Sequence, residues 1–286
     1  MNETREIPGF SLADEKLSLD THQPVRLYLQ LTDREAAASL YSTRANAFLS
    51  LHVQPLDPRN PVTGLRRLME ETPSITNANI ASTRIIYSGI EQVLVPSSLF
   101  RSETAEEVFA FSFPAMRGAV MTQKIKCIDA ELIYAVPGEV AEWSNRLLPE
   151  PIAGHQAAGM IEDFYLQYRH VQDAVVLLQV RDGNLDVIVK KGRKLLLLNT
   201  YPWKTPEDIL YHLLNVYEQL QLSTETDKLV LAGQIQRDAK AYGLLYNCIR
   251  NIEFTSRPKT GGFSYVFDAV PEQFYFSLFS QVLCES

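Results

Sequence analysis

The sequence predicts an α/β protein made of two similar halves, each a mixed sheet flanked by helices and opening with a three-stranded meander. Three observations carry this. Apolar runs of strand length come in threes, from Val25 to Val53 and again from Ala174 to Asn199. Each triplet leads into a helical stretch and then a further strand. Corresponding features also keep nearly the same separation: Asp33 with Asp182 in the first turns, Arg84 with Lys228 in the strands after the helices. The two halves share negligible identity, so the repeat is one of pattern. Its matched register favours duplication over coincidence.

In the first half, Val25–Leu31 alternates as a strand and Asp33-Arg34-Glu35 turns the chain. Ala36 to Tyr41 returns, and Ala47 to Val53 reads as one continuous third strand. Pro55, Pro58 and Pro61 mark a loop, followed by a helix over Thr63 to Glu71. Strands are expected at Arg84–Tyr87 and Val93–Pro96, a helix over Glu103 to Phe113, and β-rich runs around Ile125–Cys127 and Glu131–Val136. Helices are expected over Glu139 to Leu147 and Gln156 to Tyr168.

The second half is cleaner. Asp182-Gly183 and Lys191-Gly192 supply hairpin turns between Ala174–Val180, Leu185–Val189 and Lys194–Asn199. Thr205-Pro206-Glu207-Asp208 starts a helix, with threonine as N-cap, proline at N1 and acids in the first turn. Ile209, Leu213, Val216 and Leu220 mark its buried face. A strand at Lys228–Ala232 stops at Gly233, a helix covers Asp238 to Arg250, and Ile252–Phe254 is a last strand. Pro271 to Cys284 reads as either helix or strand. The expected domains are an arm over 1–24 and halves over 25–170 and 171–286.

At 286 residues and 46% hydrophobic, the chain has material for two ordinary cores. A net charge of −7 argues against a nucleic-acid-binding surface. Three scattered cysteines, no apolar run long enough for a membrane span, and a polar start make a cytoplasmic protein the expectation. The five histidines have no metal-ligand spacing. Lys190-Lys191-Gly192-Arg193-Lys194 reads as a solvated turn blunting a sheet edge, with an anionic partner as the sharper alternative. The aromatic run Phe274–Phe279 reads as core, with a partner-binding segment as the alternative.

Five segments carry a resemblance: Leu94–Phe100, Leu198–Tyr201, Glu207–Tyr211, Glu218–Leu220 and Leu231–Ile235. With the strand order, they make the chain resemble a bacterial family of uncharacterised proteins with the actin-like ATPase fold. That fold has two duplicated ribonuclease-H-like halves, and the chain looks most like its PilM and FtsA branches. The resemblance implies a nucleotide cleft, with ATP and Mg held by the first hairpin turn of each half. Such turns are rich in glycine because backbone N–H groups must approach phosphate oxygens closely. Here the first turn, Gln30 to Ala36, has no glycine, and Asp33 and Glu35 bring negative charge. In the second, Gly183 and Asp186 fit the pattern, Gln179 stands where the metal-side aspartate belongs, and Arg181 and Asp182 replace glycines. The adenosine-side glycine pair survives as Gly233 alone, followed by Gln234.

The resulting expectation is a protein of unknown function, a non-catalytic scaffold or interaction module with a protein partner and no cofactor. The candidate cleft positions are Thr32, Asp33, Arg181, Asp182, Gly183, Asp186 and Gly233. The alternative is an ATPase or switch using those residues with Mg-ATP. A third, a metal-dependent nuclease, would need carboxylates clustered around metals, and Asp33, Glu35, Asp182 and Asp186 are too loosely placed for that.

Overall fold

The computed structural model describes residues 9–15, 17, 22–89, 91–115 and 118–285. Much of the expected N-terminal arm, residues 1–8, 16 and 18–21, lies outside them. The chain forms two compact units. One is Met1–Lys124, Asp129–Ala158 and Lys259–Ala269; the other is Ile125–Ile128, Gly159–Pro258 and Val270–Ser286.

In the first unit, β1 (Phe10–Ala13), β2 (Val25–Leu31), β3 (Glu35–Ser42), β4 (Ala47–Phe48), β5 (Ser50–Pro55), β6 (Ile80–Tyr87) and β10 (Pro151–His155) build a sheet in the order β1-β5-β3-β2-β6-β10. β2, β3 and β5 form the antiparallel meander, and β6 and β10 join in parallel. The third strand is not continuous as expected; it breaks at Leu49. The Leu40 amide donates to the Ser50 side-chain oxygen at 3.2 Å, so a hydroxyl replaces a ladder carbonyl there. Alanines at 36–38 leave the width of β3 to neighbouring rings, and Tyr28, Tyr41 and Phe48 pack edge to face with centroids 4.9 to 6.0 Å apart.

β1 is fastened through His52 on β5. Its Nδ1 lies 2.7 Å from Ser11 Oγ and its Nε2 2.7 Å from Ser74 Oγ, on the short helix α2 (Pro73–Thr76) after α1 (Pro61–Glu71). Burial lowers the His52 pKa to about 4, so the imidazole is neutral at neutral pH, donating to one serine and accepting from the other.

A smaller sheet has the order β7-β9-β8, from β7 (Gln92–Pro96), β8 (Ala119–Ile125) and β9 (Ala130–Val136). Phe109 of α3 (Ala105–Ser112) packs on Ile133 and Ala135 of β9. The strand expected around Ile125–Cys127 ends at Ile125. Lys126–Ile128 is a 3-10 turn instead, because the amides of Lys126 and Cys127 donate to Glu162 Oε1 and Asp129 follows at φ 48°. β10, which follows α4 (Gly138–Leu147), was not expected. It starts on Pro151, where a missing N–H is tolerated, and leads into α5 (Gln156–Gln167).

In the second unit, β11 (Ala174–Arg181), β12 (Asn184–Lys191), β13 (Lys194–Pro202), β14 (Lys228–Gly233) and β15 (Ile252–Phe254) give the order β13-β12-β11-β14-β15. With β1 set aside, this is the order of the first sheet, third-second-first-fourth-fifth, with the same parallel and antiparallel pairs. α6 (Pro206–Gln219) lays Ile209, Leu213, Val216 and Tyr217 on a core that includes Val176, Leu178, Val187, Leu229 and Leu231. Its start is a capping box. Thr205 Oγ1 accepts from the Asp208 amide at 3.3 Å, and the Asp208 carboxylate accepts from the Thr205 amide at 2.9 Å. Thr205→Ala should cost about 1 kcal/mol in urea unfolding; an unchanged midpoint would mean that Asp208 alone caps the helix.

α7 (Lys240–Cys248) is shorter than expected at both ends. The aromatic run near the C-terminus is core: α8 (Phe276–Phe279) buries Phe276, Leu278 and Phe279, and a 3-10 turn, Ser280–Glu285, follows.

Candidate functional site

The first turn closes on itself. Thr32 Oγ1 accepts from the amides of Arg34 (3.3 Å) and Glu35 (3.0 Å), and the Thr32 amide donates to the Glu35 carbonyl at 2.9 Å. A side-chain hydroxyl thus engages amides that a phosphate-binding turn would present outward. No residue of the turn has positive φ, so it forms without the glycine such turns use. Asp33 and Arg34 are exposed, while Glu35 is buried.

The second turn closes differently. Gly183, at φ 72°, makes the bend between β11 and β12, and its carbonyl accepts from the Trp203 amide at 3.0 Å. Gln179 faces Asp186 across the ladder, which puts Arg181 diagonal to Asp186 on the same sheet face. Arg181 grips the carboxylate with both arms of its fork, Nε to Oδ2 at 2.6 Å and Nη2 to Oδ1 at 3.0 Å. Thr200 Oγ1 donates to Oδ1 at 2.9 Å and Gln179 Nε2 to Oδ2 at 3.1 Å. Arg181 is 7% exposed and Asp186 3%. Burial pushes the Asp186 carboxyl up, but the guanidinium and these donors more than reverse that and hold it below its usual range. Asp182, beside Gly183 in the turn, is exposed.

The pairing registers of the two sheets bring out a residue that the sequence did not single out. Gln30 lies opposite Ala37 as Gln179 lies opposite Asp186, each placed equivalently before its turn. Both are buried. Gln30 Nε2 donates to Ser88 Oγ at 2.9 Å. The equivalence continues on the next strand, where the Ser88 amide donates to the Leu31 carbonyl at 2.9 Å and the Gln234 amide to the Val180 carbonyl at 2.8 Å. The first unit therefore holds a neutral amide at the position equivalent to Gln179, where the resemblance implies an aspartate.

Gly233 sits at φ 78°, and a Cβ there would lie 2.2 Å from the Val180 carbonyl oxygen. Its amide donates to the Gln273 carbonyl at 2.8 Å, and Gln273 Nε2 donates to the Ile235 carbonyl at 2.9 Å. Beside it is an open depression of about 430 Å³ lined by Gln236, Arg237, Phe254, Thr255, Ser256 and residues 271–273. The Arg237 guanidinium lies over the rings of Phe254 and Tyr242, at 5.3 and 5.9 Å from their centroids.

Two further buried polar residues escaped sequence reading. His155 accepts from the Ala157 amide at Nδ1 (3.2 Å), which places its proton on Nε2, toward the Gly89 carbonyl. On α5, burial pushes the Asp163 carboxyl up to about 6 while a hydrogen bond from Gln167 opposes the shift; among the described residues its Oδ1 has no hydrogen-bond partner. Among the described residues, no group of three or more His, Cys, Asp or Glu is placed to hold a metal. No helix among them is long and apolar enough to cross a membrane.

The model of a family described as protein of unknown function (DUF3822) matches residues 14–252. A Bacteroides thetaiotaomicron protein, with actin-like ATPase fold and unknown function, aligns at a TM-score of 0.75 and 22% identity. The alignment covers 83% of this chain and 92% of that one. The PilM–PilN type IV pilus biogenesis complex contains a chain that aligns at 0.68 and 12% identity, over 91% of this chain and 99% of that one. No curated protein matches the sequence. At these identities the likenesses establish the fold, which is the actin-like ATPase fold.

Proposed function

We propose that this chain, which belongs to the DUF3822 family of proteins of unknown function and has the actin-like ATPase fold, is a protein-binding module and not an ATPase. The observation that carries the reading is the Arg181–Asp186 pair, which satisfies the second turn from within the chain. The residues present do not fit a metal-bound triphosphate. Gln30 and Gln179 bring no charge to a metal, the first turn's amides are engaged by Thr32, and the Gly233 amide is engaged by Gln273. The reading of Asp186 or Arg181 as a substitute nucleotide contact requires breaking a buried ion pair first. Protein binding is favoured because a fold neighbour is a pilus-biogenesis protein in complex with PilN. A bacterial, cytoplasmic setting belongs to the same proposal.

Thermal unfolding with and without about 1 mM Mg-ATP tests it. Ligand at a hundredfold over its dissociation constant stabilises by about 2.7 kcal/mol, well within reach of such a scan. The expected result is an unchanged midpoint and no phosphate release above background. A midpoint that rises and saturates at micromolar ATP would sink the proposal.

A further inference from the structure

We propose that the free edge of β13 takes up an extended peptide from a partner protein as an added antiparallel strand, the peptide being apolar at alternate positions and acidic at its C-terminal end. This rests on the module reading only for the class of ligand, and it adds the surface and the partner's chemistry.

β13 ends its sheet and pairs with β12 alone among the described strands. Natural sheets keep their edges short or covered, because an unpaired row of N–H and C=O groups is a template for another chain. The opposite edge, β15, follows that rule with three residues; β13 has nine. Leu195, Leu196, Leu197 and Leu198 are all only partly buried on this strand. Leu196 is the extra residue of a bulge, since Val189 pairs with Leu197 and Lys190 with Leu195. Beyond it, Leu197 to Pro202 pairs regularly with β12, so its outer side offers a regular row of carbonyls, while its donors are fewer, since the Thr200 amide donates to Asn199 Oδ1 at 2.9 Å and Pro202 has no N–H.

The basic cluster before this strand resolves into two kinds of residue. Lys190 is buried, and its Nζ donates to the carbonyls of Tyr168 (2.8 Å) and Gly192 (3.1 Å). Lys191, Arg193 and Lys194 are exposed, and none takes part in an ion pair among the described residues. On a chain of net charge −7, they make a positive end at the start of the edge. An antiparallel strand brings its C-terminal end there, so carboxylates at that end are attracted and cations repelled. A second copy of the chain suits the edge less well. Antiparallel pairing of β13 with itself would set each basic end beside Asn199 to Pro202, which carries no acid.

The test uses the full chain and a fluorescein-labelled peptide of alternating valine and threonine ending in three glutamates. Anisotropy should show saturable binding, with slowed hydrogen exchange of the β13 amides. N-methylation of alternate peptide amides should abolish it. Arg193→Glu with Lys194→Glu should weaken it on the order of tenfold and strengthen binding of the same peptide ending in lysines. That reversal separates recognition from damage to the fold. No saturable binding, equal binding of the N-methylated peptide, or a free chain that is already a dimer through β13 would each overturn the proposal. Saturable ATP binding would instead defeat the module reading and leave this edge untouched.

Discussion

Arg181→Ala should destabilise the second unit by about 3–5 kcal/mol at pH 7, the range for removing one partner of a buried ion pair. The variant leaves the buried Asp186 carboxylate without its cation, with Thr200 and Gln179 as neutral side-chain donors. Replacing both charges, as Arg181→Met with Asp186→Leu, should be close to neutral, because both desolvation costs disappear with the attraction. The pH dependence follows from the sign of the Asp186 shift. The native carboxyl is held below its ordinary value, so its contribution is present above the unfolded-state pKa and lost as pH falls through the folded one. Without Arg181, burial is opposed only by neutral donors and the carboxyl titrates higher. The stability gap between variant and wild type should therefore narrow on acidification. Urea unfolding at pH 7 and pH 4.5 measures both effects. A loss under about 1 kcal/mol at pH 7 would mean that the ion pair does not hold the second turn closed.

Asp163→Asn should raise stability by about 2–3 kcal/mol at pH 7.5. The Asp163 carboxyl titrates at about 6 in the fold against an ordinary 3.8. At about 1.36 kcal/mol per pK unit, the ionised form costs the native state about 3 kcal/mol above that pH. Because the folded pKa is the raised one, the favourable contribution is complete below the unfolded value and is lost as pH rises through 6. The wild type should thus be more stable at pH 5 than at pH 7.5, with the variant much flatter between them. A destabilised variant at pH 7.5 would show that the Asp163 charge is required where it lies.

The second unit was legible because its turns announce themselves. Asp182-Gly183 and Lys191-Gly192 fix the hairpins, and Thr205 to Asp208 fixes the helix start. The first unit was less so. β10 contains Pro151 and Gly154, which argue against a strand until its parallel place at the sheet edge is known. The break at Leu49 depends on a serine hydroxyl entering the ladder, a tertiary event with no periodic signature. Of the candidate site, Gln179 was readable because Gly183 and Asp186 anchor its alignment. Gln30 was not, since the first turn has no glycine and only strand register identifies its equivalence. The Arg181–Asp186 contact was within reach: a two-residue Asp-Gly hairpin places position 186 opposite 179 and diagonal to 181.

Gly233 changes how a surviving motif residue is to be weighed. A Cβ at that position would run into the Val180 carbonyl oxygen, and the backbone there is left-handed. Glycine is thus demanded by the strand beside it whether or not any ligand ever approaches. A search that scores this glycine as a vestige of nucleotide chemistry would be counting a steric necessity as a chemical one. Its diagnostic value for ligand binding is small, and the burden of distinguishing active from silent members of this fold passes to the residues that sterics leave free to vary, Gln30 and Gln179 first among them.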